Sequence, residues 1–165
     1  MITLKRILVP HDFSETSAAA AAYAASLARS FGAQLVFLYV GDESRTELES
    51  VIPTTGDGAV VEAVRTRLLK TVAPVDQTTL MPEFYARTGT PAGEIVRFAR
   101  EHDIDLIVMG THGRGFVGHV VMGSVAEKVV RTAPCPVLTV RSHTLVDHGI
   151  SLVAAHETNA RQALA

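Results

Sequence analysis

The sequence predicts an α/β fold in which a parallel sheet carries helices on both faces. Three observations lead there. Short continuous apolar runs recur along the chain, as strands buried on both faces require. Segments with helix start and stop signals separate those runs. Strand and helix segments alternate, and alternation builds parallel β-α-β units.

The elements follow in order. Ile7-Leu8-Val9 is the first strand, stopped by Pro10. At Phe13-Ser14-Glu15 a helix begins: the Ser14 hydroxyl can cap free backbone N–H groups, and Glu15 favours the positive helix end. Alanine, the strongest helix former, dominates this helix, and its small side chains let it lie close to a sheet. Gly32 is a fitting stop. Leu35 to Val40 forms a second buried strand. Gly41 to Gly58 is long, acidic and irregular, with room for a short helix around Glu43–Ser50. From Ala59 the pattern is helical, with Val60, Val64, Leu68 and Val72 four residues apart. Leu80 to Thr88 is a weaker strand whose Pro82 points to an edge position or an irregular start. Pro91 suits a first helical turn, and Ile95, Phe98 and Ala99 give that helix an apolar face up to His102. Leu106 to Met109 is the clearest strand, a glycine-rich loop spans Gly110 to Gly123, Ser124 to Arg131 is a short helix, and Val137 to Val140 is the last strand. The expected division is one domain over residues 1–141 and a tail over 142–165, helical or disordered, whose stretches 152–155 and 161–165 have no strong periodicity.

Composition narrows the function. A chain of 165 residues suits one domain, and 47% hydrophobic residues exclude a largely disordered one. Fifteen basic against 17 acidic residues argue against general nucleic-acid binding. With Cys135 alone, neither an intrachain disulfide nor a cysteine-rich zinc site can form, and the thiol suits a reducing compartment. The apolar stretch from Ala18 to Ala28 falls well short of the roughly 20 residues a membrane span needs. No secretory pattern opens the chain, so a soluble cytoplasmic protein without a membrane partner is expected.

The glycine loop carries the chemistry. Within it, Gly113-x-Gly115-x-x-Gly118 formally matches a dinucleotide fingerprint, but that fingerprint should close the first strand and open a helix directly. Here it follows the fourth strand, and no acid stands about 20 residues on. The chain has no Gly-Lys-Ser/Thr P-loop and no G-x-S-x-G nucleophile elbow. The whole span reads better. Gly110 and Gly113 let the backbone leave the strand sharply and approach a ligand, and Gly123-Ser124 opens a helix. A helix N-terminus offers unpaired N–H groups and a positive dipole end to a phosphate, Ser124 adds a hydroxyl, and Arg114 adds charge. The competing reading is a glycine-rich loop whose Ser124 merely caps its helix.

The spacing Gly-x2-Gly-x9-Gly-Ser/Thr, met by Gly110, Gly113, Gly123 and Ser124, resembles the ATP-binding signature of the universal stress protein family. The opening Ile7-Leu8-Val9-Pro10-His11-Asp12-Phe13-Ser14 and the close Ala133-Pro134-Cys135-Pro136-Val137-Leu138 are similar to that family too, and the likeness covers about residues 3 to 141. The resemblance implies a Rossmann-like three-layer sandwich, a five-stranded parallel sheet of order 3-2-1-4-5, and a homodimer. It implies ATP, bound with Mg2+. Asp12 would face the adenosine part, Pro10 and Val40 would line the base pocket, and Gly110, Gly113, Gly123, Ser124 and Val125 would hold ribose and phosphates. Members with a broken glycine pattern often do not bind ATP; this chain keeps the pattern.

Other candidates have plainer readings beside them. Asp12 also suits a turn that bonds the next backbone amides. His11, His112 and His119 lack the tight spacing of metal ligands. Cys135, between two prolines, reads as an inert small hydrophobe. The acidic run from Asp42 to Glu49 reads as a solvated face. Three functions remain open: an ATP-binding regulatory protein of stress physiology, a slow ATP-hydrolysing or phosphotransfer enzyme using Asp12 or His11, and a nucleotide-free interaction module.

Overall fold

A computed structural model describes residues 3–41, 57–111 and 122–141. Five strands form one parallel sheet: β1 (Arg6–Pro10), β2 (Gln34–Gly41), β3 (Glu83–Thr88), β4 (Leu106–Gly110) and β5 (Val137–Val140). Their order is β3-β2-β1-β4-β5, as the family resemblance implies. The helices are α1 (Glu15–Phe31), α2 (Asp57–Leu69), α3 (Pro74–Thr79), α4 (Pro91–Glu101) and α5 (Ser124–Thr132). The expected short helix at Glu43–Ser50, the residues 112–121 of the glycine loop and the 142–165 tail lie outside the described residues.

Side chains alternate across the sheet and divide the core in two. Ile7, Val9, Leu35, Phe37 and Val108 pack under α1 and α2, while Leu8, Val36, Leu38, Ile107 and Met109 pack under α4 and α5. Every one of these strand residues is buried, which explains why the strands read as continuous apolar runs. Helix α1 covers the first face through alanines, with Ala20, Ala24 and Ala28 fully buried. It starts at Ser14, whose hydroxyl accepts from the Ser17 N–H, and ends at Gly32 in the left-handed region at φ 64°. Helix α2 is anchored by Val64 and Leu68, one turn apart. Burying each stabilises by about 1.5–3 kcal/mol.

The helical pattern that the sequence carries through Val72 breaks at Leu69, and a separate short helix, α3, follows at Pro74. Its buried carboxylate, Asp76, pairs with Arg29 at the end of α1, and Gln77 donates to the Leu69 and Val72 carbonyls at 2.8 and 2.9 Å. Strand β3 starts after Pro82 and lies at the sheet edge, as that proline foretells.

The sheet opens at one place. The β1–β2 ladder runs to Pro10 opposite Leu38, but the β1–β4 ladder pairs only Ile7 with Leu106 and Leu8 with Ile107. Beyond Leu8 the two central strands separate. The chain leaves β1 toward one face as α1 and leaves β4 toward the other as α5. This is the topological switch point of an open α/β sheet, where a crevice forms outside the strand C-termini. The first turn of α1 leans over the end of β4: a Cβ at Gly110 would stand 2.9 Å from the carbonyl carbon, Cβ and Oγ1 of Thr16. Gly110→Ala should therefore force α1 and β4 apart and destabilise the chain by about 1–3 kcal/mol, the usual range for overpacking. Urea denaturation measures this; unchanged stability would mean that α1 is not seated against β4 as described.

Candidate functional site

Two strand exits border the split, and the described residues of each are set by identifiable local chemistry. On the β1 side the His11 N–H donates to the Leu38 carbonyl at 2.9 Å. Strand alternation then turns position 10 toward β4, whose ladder has already ended, so a proline without an N–H leaves no pairing unmade there. Pro10 is buried and Val40 half-buried, and by alternation both lie on the α4–α5 face with Val125 and Met122. They make an apolar wall at the ends of β1 and β2.

Asp12 follows at the head of the turn. Its Oδ1 accepts from the Ser14 hydroxyl at 2.5 Å and from the Ser14 N–H at 3.1 Å. The turn role open to Asp12 from sequence is thus present in the structure. Burial pushes the carboxyl upward, but hydrogen bonds from Ser14 and Ser17 outweigh burial and hold it below the ordinary aspartate value. Asp12 is therefore an anion at neutral pH and can only accept hydrogen bonds. His11 is buried, and its Nδ1 accepts the Phe13 N–H at 3.0 Å.

On the β4 side Thr111, also buried, donates its N–H to Val140 at 3.0 Å, and its carbonyl accepts the Gly123 N–H at 2.7 Å. The second of these bonds ties the end of β4 to the start of α5. Gly123 caps α5 with extended dihedrals and no side-chain cap bond, so Ser124 is the first helical residue rather than the cap. This corrects the capping alternative. The exposed Ser124 hydroxyl stands at a helix start whose first N–H groups lack intrahelical partners.

The structure thus gathers Pro10, Asp12, Val40, Gly110, Gly123, Ser124 and Val125 at the C-terminal end of the sheet. Gly113 and Arg114, with His112 and His119, lie outside the described residues. Thr16 gives Gly110 a packing reason for its missing side chain, beside the ligand approach expected from sequence. Thr111 and Thr16 were not legible as site residues; nothing in their spacing marks them. Among the described residues no group of three or more His, Cys, Asp or Glu could hold a metal ion. Cys135 is half-buried, and burial with the Asp105 charge raises its thiol, so it stays protonated and a poor nucleophile at neutral pH. Among the described residues no helix is long and apolar enough to cross a membrane.

The arrangement offers an apolar wall, an anionic acceptor and a helix start rich in free donors at one end of the sheet. Known proteins resemble the chain in sequence and in fold. The family model described as the universal stress protein family matches residues 3–141. A universal stress protein of Methanocaldococcus jannaschii is 34% identical over 142 residues, spanning 83% of this chain and 82% of its own. The solved universal stress protein UspA of Lactobacillus plantarum is 31% identical at a TM-score of 0.68, covering 86% of this chain and 100% of its own. A universal stress protein solved in complex with cAMP shares the fold at a TM-score of 0.59 and 22% identity, over 86% of this chain and 99% of its own. The extent of the match and the identity of the relatives together decide the assignment: this chain belongs to the universal stress protein family.

Proposed function

We propose that this chain is an ATP-binding regulatory protein of the stress response, acting through nucleotide-dependent conformation or partner choice. The observation that carries the reading is the intact Gly110-x2-Gly113-x9-Gly123-Ser124 spacing, anchored at both ends on the switch-point crevice. Pro10 and Val40 would take the adenine against their apolar wall. Asp12, held as an anion, would accept from ribose hydroxyls. The N–H groups at Ser124 and Val125, the Ser124 hydroxyl, Gly113 and Arg114 would hold the phosphates, with ATP taken up as its Mg2+ complex. A mononucleotide-bound relative of the same fold agrees with a nucleotide of this size.

Binding in the micromolar range, about −8 kcal/mol, is expected by calorimetry. Gly113→Val should weaken it at least tenfold, because a side chain there obstructs close backbone approach, while leaving the unfolding transition in place. Equal affinity in that variant would remove the glycine loop from the site.

Turnover should be very slow or absent. Fast phosphoryl transfer needs a positioned nucleophile, metal held on the phosphates and charge stabilisation of the transition state. The proposed site binds with backbone donors, a hydroxyl and Arg114, and it has no P-loop lysine. Donors that hold ATP and its transition state equally well accelerate nothing. Steady-state hydrolysis with Mg2+ or Mn2+ checks this. A rate near about 10 per second, abolished by Asp12→Ala or Ser124→Ala, would favour the enzyme reading; lack of any co-purified or titrated nucleotide would favour the nucleotide-free module.

We also propose a homodimer through Val137–Val140. Strand β5 is a sheet edge, and its Val137 and Leu138 are only half-buried. An apolar edge of this kind invites pairing with another strand. Leu138→Lys should raise the monomer fraction in light scattering at tens of micromolar, with circular dichroism confirming the fold. A wild-type chain that is monomeric there would sink the proposal.

A further inference from the structure

Phe13, between Asp12 and the N-cap Ser14, sits in the left-handed region at φ 65°. A bulky aromatic residue is a genuine outlier there. Such a conformation persists only when its surroundings over-determine it. Here the surroundings are visible. The Phe13 N–H donates to His11 Nδ1 at 3.0 Å. Its ring meets His11 edge-on at 5.3 Å and lies tilted against Tyr39 of β2 at 5.4 Å. Its outer face is covered by Arg67, whose Cζ stands 4.1 Å from the ring centroid. Arg67 comes from the last turn of α2, one residue before the fully buried Leu68, so its Cα is fixed to the sheet. Among the described residues no carboxylate forms an ion pair with its guanidinium.

We infer that Arg67 is a positioning residue for the nucleotide: its cation–π contact with Phe13 holds the Asp12-Phe13-Ser14 turn in the strained form that presents the Asp12 carboxylate to the crevice. The inference rests on the nucleotide reading above. The turn is short, so the dihedrals of Phe13 set the relative positions of Asp12 and Ser14, which are bonded to each other. Relaxing Phe13 to an ordinary conformation would break that pair and swing the carboxylate. Helix α2 would thereby be coupled to occupancy of the site. Displacing α2 would remove Arg67 and loosen Asp12, and a bound ribose that fixes Asp12 would fix α2 in return.

The test uses the full chain and five proteins: wild type, Arg67→Met, Arg67→Lys, Phe13→Leu and the Arg67→Met/Phe13→Leu double variant. Met keeps an apolar stem without the charge, and Leu keeps apolar bulk without the ring face. MgATP affinity is measured by calorimetry, and amide exchange at Phe13 and Ser14 is followed without ligand. Arg67→Met should weaken ATP about two- to fivefold, the size of an exposed cation–π contact, and speed both amides by a similar factor. In the Phe13→Leu background the same change should do less than half as much, because the two residues act through each other. Arg67→Lys should restore most of the affinity. An Arg67→Met loss of equal factor in both backgrounds, or unchanged exchange at Phe13 and Ser14, would overturn the inference while ATP binding stood. A wild type that takes up no ATP would instead overturn the nucleotide reading.

Discussion

The crevice depends on where β1 and β4 stop pairing. Parallel strands in the middle of a sheet usually pair along their length, and here the ladder ends after Leu8 and Ile107 although both strands continue. Pro10 suits that early end, since it has no N–H to lose. Gly110 lets the first turn of α1 occupy the space over β4. The exits of β1 and β4 then diverge to opposite faces, and the described residues of the proposed site lie along that split. Shortening this one ladder is what opens the end of the sheet.

The charge around the split is arranged by local means. The α5 start contributes the positive end of a helix dipole and has no acidic cap to neutralise it, because the cap is a glycine. At the α1 start the order is reversed: Asp12 stands just ahead of the helix, and Ser14 satisfies both the carboxylate and the Ser17 N–H. The α1 start is thus capped by side chains of its own turn, whereas the α5 start has a glycine cap, with Glu127 farther along its first turn. A ligand with hydroxyls at one end and phosphates at the other matches that asymmetry.

How much of this could be read from residues depended on how local the cause was. Ser14, Gly32 and Pro91 act on their own helices, and each stands in the structure where its chemistry places it. The buried strands of the sheet were legible because both faces are covered. Helix α3 was not: its residues are mostly polar, and it is held by Arg29 on α1 and by Gln77 reaching back to the end of α2. The start of β3 was blurred because an edge strand can carry polar side chains, here Glu83 bonded to Arg6 and Arg87 to Glu101. In the site, the glycine spacing was visible, but the fit of Thr16 to Gly110 and of Arg67 to Phe13 joins residues far apart in the chain. Such contacts leave no periodic mark in the sequence.

A site made of backbone donors and one fixed anion also bears on what binding can accomplish. On the proposed reading, the energy of nucleotide binding is available to shift the conformation of the segments around the split. A ligand at 100 times its dissociation constant adds about 2.7 kcal/mol to the stability of the state that binds it. That is enough to move a local equilibrium of the glycine loop or α2 about a hundredfold, since each 1.4 kcal/mol is a factor of ten. The same energy is small beside the 8–23 kcal/mol by which enzymes typically lower a barrier. On the proposed reading, the output of the fold is shape rather than product. The surfaces able to report that shape are those tied to the split: α2 through Arg67 and Phe13, and β5 through the Val140 carbonyl that accepts the Thr111 N–H. The second of these runs directly from the base of the glycine loop into the proposed dimer edge, so occupancy of the crevice and pairing of β5 would share one hydrogen-bonded strand end.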